Sequence, residues 1–179
     1  MKENTGKNKL GIFVIFTLVI IITFVAAFVF MTIKISVYEI SGTSMNDTLV
    51  AQEKTLLYKT NKVTYNDIIV FSYYDNNYKT DLIKRVIGLP GDLIETKYDS
   101  NDDCYHIYRN GKLVDEKNIK EKMSSIGKYE QTSITVPKNR LYVLGDNRNN
   151  SKDSHEGILA TFDNVQGKVF FNLTKFKFI

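Results

Sequence analysis

Polar and apolar positions follow two regimes along this 179-residue chain. From Leu10 to Ile33, 24 consecutive positions carry no charge and are mostly large and apolar. As a helix this run would be about 36 Å long, enough to cross a hydrocarbon layer of about 30 Å with some tilt. A cleavable secretory signal is the rival reading. Such segments have shorter apolar cores, about 7–15 residues, that end at a small-x-small site before polar sequence. Here the only small pair, Ala26-Ala27, is followed by Phe28-Val29-Phe30-Met31, so the run predicts an uncleaved anchor.

Beyond Lys34 the apolar positions come in short runs rich in branched and aromatic residues. These are Thr55–Tyr58, Asp67–Tyr73, Asp81–Ile87, Leu93–Lys97, Tyr105–Arg109, Ser133–Val136, Leu141–Leu144 and Lys168–Leu173. Turn residues rather than helical periods separate them, which predicts strands. Arg109-Asn110-Gly111-Lys112 is the clearest hairpin signal, because Asn-Gly supplies two residues with φ > 0 for a type I′ turn. In Leu89-Pro90-Gly91-Asp92 the proline fixes φ and the glycine permits a left-handed residue, so a second turn is expected. Only Asn118–Ser125 reads as weakly helical. The expected architecture is mainly β: an antiparallel or mixed β domain over residues 34–179, behind a transmembrane helix over 10–33 and a short N-terminus over 1–9.

Charge sets the topology and narrows the partners. Lys2, Lys7 and Lys9 precede the helix against Glu3 alone, while Lys34 is the only base close behind it. The positive-inside bias puts the N-terminus in the cytoplasm and the β domain outside, at the cell membrane. That domain holds 21 basic and 19 acidic residues, interspersed, which argues against a nucleic-acid partner. One cysteine, Cys104, rules out an intrachain disulfide framework and reads as a small strand residue. His106 and His155 have no metal-ligand spacing to each other or to Cys104, so neither a metal nor a cofactor is expected.

The candidate chemistry begins at Ser41-Gly42-Thr43-Ser44-Met45, with Ser44 eleven residues beyond the apolar run. A serine hydroxyl is a weak nucleophile at neutral pH and needs a base within hydrogen-bond reach. Lysine can serve when desolvation lowers its pKa. In a strand, Leu82, Lys84 and Val86 share one face, so Lys84 is flanked by apolar side chains as a buried amine would be. Arg85 is excluded as a base because guanidinium does not usefully deprotonate. Taken singly, Ser44 reads as a turn serine, Lys84 as an exposed lysine, and Gly145-Asp146-Asn147-Arg148 as a surface turn. Their occurrence in order, in one anchored β domain, points instead to a serine–lysine hydrolase.

With those segments in view, the chain resembles the bacterial type I signal peptidases. Ser44-Met45-Asn46-Asp47-Thr48-Leu49 matches the family's nucleophile box, Asn66–Phe71 its strand box, Lys84–Asp92 its lysine box, and Gly145–Ser154 its last box. The similarity covers residues from about 37 to 172 plus the anchor. It implies that Ser44 attacks the scissile carbonyl of a signal peptide and that Lys84 is the general base. It implies too that Ser151 hydrogen-bonds and orients the Lys84 amine, that the Ser44 N–H forms part of an oxyanion hole, and that Asp146, Arg148 and Asp153 hold the loop carrying Ser151. Gly42 stands where some members supply a second oxyanion donor, as in Gram-positive forms. The implied partners are signal peptides of secreted preproteins and the lipid bilayer, with the secretion translocon nearby. Small substrate residues at −1 and −3 imply shallow apolar pockets, for which Met45, Leu49, Leu82 and Ile83 are the candidates; Leu49 reads equally well as core.

Three departures accompany the match. Asp47 stands in a usual proline position, His155 replaces an arginine that pairs with the aspartate matching Asp153, and the spacing from Asp153 to Gly157 is one residue short. Imidazole is only fractionally charged at neutral pH, so a His155–Asp153 ion pair would be weak and pH-dependent. The rival from another class is a signal-peptidase-like assembly factor for surface structures such as pili, in which the dyad is not required. A self-cleaving repressor-type domain shares the dyad, but the membrane segment and near-neutral exterior argue against it.

Overall fold

The computed structural model describes residues 4–75, 78–124 and 126–179, with side chains from Lys9 onward. The chain divides into two compact units, residues 1–36 and 37–179. Helix α1 spans Asn4–Lys34, and its Lys9–Lys34 portion is long and apolar enough to cross a membrane. Its apolar side chains are exposed all round, as expected of a helix that a bilayer rather than a protein core would cover. The hydroxyls of Thr17, Thr23 and Thr32 donate to the carbonyls of Phe13, Ile20 and Val29, so the helix satisfies its own polar side chains.

The β region runs β1 (Ile35–Glu39), β2 (Lys54–Tyr58), β3 (Ile68–Asp75), β4 (Tyr78–Gly88), β5 (Leu93–Asp99), β6 (Cys104–Arg109) and β7 (Lys112–Leu113). It continues through β8 (Met123–Ser124), β9 (Thr132–Thr135), β10 (Arg140–Leu144), β11 (Ala160–Thr161), β12 (Val165–Asn172) and β13 (Lys177–Phe178). All eight runs expected to be strands are strands. The larger sheet has the order β1-β2-β12-β3-β4-β10-β11, with β13 added on β12. The smaller has the order β7-β6-β5-β9, with β8 added on β6. Pairings from β2 onward are antiparallel, among them the long β3–β4 hairpin that pairs Ile69 with Lys84.

The central strand β3 packs both faces, which is why Ile68–Phe71 is continuously apolar rather than alternating. Ile68 and Val70 face one buried cluster with Ile40, Met45, Leu49, Leu57, Ile83 and Val169. Ile69 and Phe71 face another with Val86, Leu141, Val143, Ile158 and Ala160. A third cluster joins the small sheet to the ends of β4 and β10 through Ile87, Ile94, Ile107, Met123 and Leu144. The turns form as their residues require. Asn110 and Gly111 adopt φ of 52° and 75° between paired Arg109 and Lys112. Gly91 takes φ of 88° in a turn closed by Asp92 N–H donating to Leu89 O at 3.0 Å.

The helical reading of Asn118–Ser125 is corrected for its described part, since Ser125 lies outside the described residues. Asn118–Lys122 is turn, bend and irregular chain, and Met123–Ser124 pairs with Tyr105 and Cys104. Tertiary packing overrides weak local propensity here: Met123 is fully buried, and the Lys120 N–H is taken by Asp146 O at 2.9 Å.

Candidate active site

The site forms where the β4–β10 ladder ends. Its last pair is Arg85 with Leu144, so Lys84 lies one position beyond, where β10 gives way to the 145–157 loop. Lys84 is 2 % exposed, and Leu82, Val86 and its register partner Ile69 belong to or pack on one buried cluster. The amine escapes this apolar frame at one point. Its Nζ donates to Ser44 Oγ at 2.7 Å and to Ile83 O at 3.1 Å. Burial is the largest influence on its pKa and pulls it down to about 8, with Asp153 opposing and Lys128 assisting.

Ser44 sits in a turn between β1 and β2 and is half-buried. The turn is anchored below by the side chains of Met45 and Leu49, both fully buried. From the side it is held by Asn147, whose N–H donates to Ser44 O and whose Nδ2 donates to Thr43 O, each at 3.0 Å. Asp146 ties three segments together: Arg85 binds it through Nε at 2.8 Å and Nη2 at 2.6 Å, and Thr48 Oγ1 donates to it at 2.6 Å. Nucleophile turn, lysine strand and last loop are thereby fixed to one another.

The loop itself is held from within. Buried Arg148 donates to Gly145 O at 3.2 Å and to Glu116 Oε1 at 2.6 Å, while its own carbonyl accepts from Tyr129 Oη at 2.7 Å. Asp153, fully buried, accepts from the N–H groups of Gly145 and His155 at 3.1 and 3.2 Å. Gly145 is obligatory because a Cβ there would lie 2.5 Å from Ser44 O and 2.6 Å from Ser151 Cβ.

Some expected placements are changed by the structure. The expected hydrogen bond between Ser151 and the Lys84 amine is not formed: Lys84 uses Ser44 Oγ and Ile83 O, and Ser151 Oγ is buried without a partner among the described residues. Met45 and Leu49, at 0 % exposure, are core side chains beneath the nucleophile turn rather than pocket walls. Ile83 is also buried in that cluster, leaving Leu82 as the partly exposed candidate. His155 does not pair its ring with Asp153; the ring packs on Tyr129 with centroids 4.5 Å apart. The nearby cation is instead Lys128, which donates to Ser151 O and lies 3.6 Å from Asp153 Oδ1. Lys128 and Glu116 lie outside every recognised segment, and Thr48 lay inside one without a role assigned to it. Asn147 lay inside a recognised segment, but its two bonds to the nucleophile turn are visible only in three dimensions.

A buried amine with a lowered pKa lies against a serine hydroxyl in the β unit, the pairing that a serine–lysine hydrolase would use. Comparison with known proteins specifies the class. The family model of signal peptidases, peptidase S26, matches residues 12–174. Signal peptidase I P of Bacillus subtilis subsp. natto is 36 % identical over 166 residues, covering 85 % of this chain and 85 % of that protein. Signal peptidase IB of Staphylococcus aureus is 34 % identical over 175 residues, covering 88 % of this chain and 87 % of that one. A crystal structure of a signal peptidase I from Enterococcus faecalis V583 aligns at 27 % identity with a TM-score of 0.45, over 61 % of this chain and 97 % of that one. The chain belongs to the signal peptidase family, peptidase S26.

Proposed function

We propose that this peptidase removes signal peptides from secreted preproteins through a Ser44–Lys84 dyad, on the outer side of the membrane that α1 spans. The observation that carries the reading is the 2.7 Å contact between Lys84 Nζ and Ser44 Oγ, made by an amine that burial leaves largely desolvated. With the amine neutral, the same contact reverses and the hydroxyl donates to nitrogen. Lys84 accepts the Ser44 proton as Oγ bonds to the scissile carbonyl carbon, then delivers it to the leaving amine as the C–N bond breaks. Water next attacks the acyl-enzyme carbonyl, Lys84 takes its proton, and that proton passes to Ser44 Oγ as the ester C–O bond breaks. The Ser44 N–H supplies part of the oxyanion stabilisation, a type of contact worth about 3–4 kcal/mol when preorganised.

The remaining residues support this chemistry. Asp146, Arg148 and Asp153 hold the 145–157 loop against the nucleophile turn. Leu82, partly exposed beside the lysine, offers apolar surface for a small −1 or −3 side chain. The N-terminus lies in the cytoplasm, following the lysines before the helix, and the site works on the outer side, where a translocated signal peptide emerges beside the translocon.

The test is cleavage of a preprotein with an Ala-x-Ala site in detergent or liposomes by wild type, Ser44→Ala and Lys84→Ala. A mature-size product from wild type alone is expected. Equal cleavage by Ser44→Ala would overturn the dyad, and full function of Ser44→Ala in cells would favour an assembly role.

A further inference from the structure

Asp153 creates an electrostatic conflict at the proposed dyad. Its carboxylate is fully buried, and its charge favours the ammonium form of Lys84, whereas a general base must be neutral to accept a proton. The two N–H groups that Asp153 accepts from, on Gly145 and His155, hold it in place but carry no charge. The His155 ring, close in sequence, packs tilted against Tyr129, with Nδ1 buried and without a hydrogen-bond partner among the described residues. Burial, the largest influence, pulls its pKa below the ordinary histidine value; the charges of Asp153 and Glu130 and a hydrogen bond to the Lys128 backbone oppose this, and the charge of Lys128 assists it.

Among the described residues, one cation lies within 4 Å of the Asp153 carboxylate. Lys128 comes from the connection between β8 and β9, and its side chain is only 17 % exposed. Its Nζ donates to the carbonyl of Ser151, lies 3.6 Å from Asp153 Oδ1 and 3.1 Å from Glu156 Oε1, and stands 5.6 Å from the Tyr129 ring centroid. Lys84 faces Ser44 from the nucleophile turn, Asp153 from the last loop, and Lys128 from the β8–β9 connection. The other buried charges near the loop are paired elsewhere, Asp146 with Arg85 and Arg148 with Glu116.

We propose that Lys128 is a positioning residue of the peptidase, one that neutralises Asp153 and fixes the Ser151 segment so that Lys84 works as a neutral amine; this rests on the Ser44–Lys84 reading above. Its charge raises the cost of a proton on Lys84, and its bond to Ser151 O holds the loop wall beside that amine. Removing the ammonium leaves Asp153 uncompensated, and Lys84 then keeps its proton to higher pH.

The experiment measures kcat/KM against pH on an Ala-x-Ala preprotein, using full-length protein in detergent: wild type, Lys128→Met, Lys128→Arg and Ser44→Ala. In Lys128→Met the acid limb moves upward by about one pH unit, giving roughly tenfold lower kcat/KM below the limb and near-wild-type values well above it. Lys128→Arg keeps the limb near its wild-type position. A merely structural lysine would lower activity equally at every pH. An unmoved limb in Lys128→Met, or equal loss in both variants at all pH values, overturns the role of Lys128. Ser44→Ala separates the two readings: if it cleaves like wild type the dyad falls and this proposal with it. If it is inert while the limb stays put, only Lys128 falls.

Discussion

Arg85 and Asp146 lie 61 positions apart and meet as a bidentate pair, Nε to Oδ1 at 2.8 Å and Nη2 to Oδ2 at 2.6 Å, with Asp146 1 % exposed. The same carboxylate accepts from Thr48 beside the nucleophile turn. Its removal therefore strands a buried guanidinium and frees the turn that positions Ser44. Asp146→Ala is expected to destabilise the β domain by about 3–5 kcal/mol, the usual effect of breaking a buried pair on one side. Thermal melts of the detergent-solubilised chain check this. An unchanged Tm would show that Arg85 finds another partner.

The pH dependence of cleavage follows from Lys84. Burial pulls its amine down to about 8 from the ordinary value of 10.5, and in the proposed dyad only the neutral form accepts the Ser44 proton. Accordingly kcat/KM should fall about tenfold per pH unit below 8 and level off above it. A limb near 10.5 in the pH–rate profile would contradict the buried-amine account.

The same shift makes a stability prediction of definite sign. Between pH 8 and 10.5 the unfolded chain binds a proton at Lys84 that the folded chain does not, so stability rises with pH across this window. Below 8 both states are charged, and the folded state carries a buried ammonium at a penalty of up to about 3 kcal/mol. Lys84→Met keeps the aliphatic volume and removes the charge. It should be inactive yet melt at or above the wild-type temperature at pH 7, with that advantage closing towards pH 10.5. A variant less stable than wild type at pH 7 would show that the bonds to Ser44 and Ile83 outweigh desolvation.

What was legible in the sequence is what local pattern controls. The apolar run, the strands and the Asn110-Gly111 turn follow from side-chain spacing and backbone preference, and Leu82 and Val86, which flank Lys84 in strand alternation, join one apolar cluster. What was not legible depends on contacts between distant segments. Lys128 is an ordinary lysine in an unpatterned stretch until the β8–β9 connection brings it to Ser151 and Asp153. Met45 and Leu82 look alike as apolar neighbours of reactive groups, yet one is sealed in the core and the other partly open. The weak helical pattern of Asn118–Ser125 yields to the burial of Met123 and to its pairing with Tyr105. Each miss reflects a tertiary choice among locally acceptable conformations.

Gly145 provides the most local test of how tightly the site is assembled. It stands between the nucleophile turn and the Ser151 segment, and its N–H donates to Asp153 Oδ2 at 3.1 Å. An added Cβ would come within 2.5 Å of Ser44 O and 2.6 Å of Ser151 Cβ. Neither neighbour can yield freely, because Ser44 O already accepts from Asn147 N and the Ser151 segment is held by Lys128. Gly145→Ala should push the turn and the loop apart and lengthen the contact between Lys84 Nζ and Ser44 Oγ. Displacing a nucleophile by about 1 Å can reduce rate about a hundredfold, so kcat should drop on that scale. The change is a small overpacking, which typically lowers stability by about 1–3 kcal/mol, so the chain should remain folded. The check pairs a cleavage assay with a thermal melt, because the two together separate a displaced nucleophile from a lost fold. A folded variant with wild-type kcat would mean that the turn and loop can separate without moving Ser44 from Lys84.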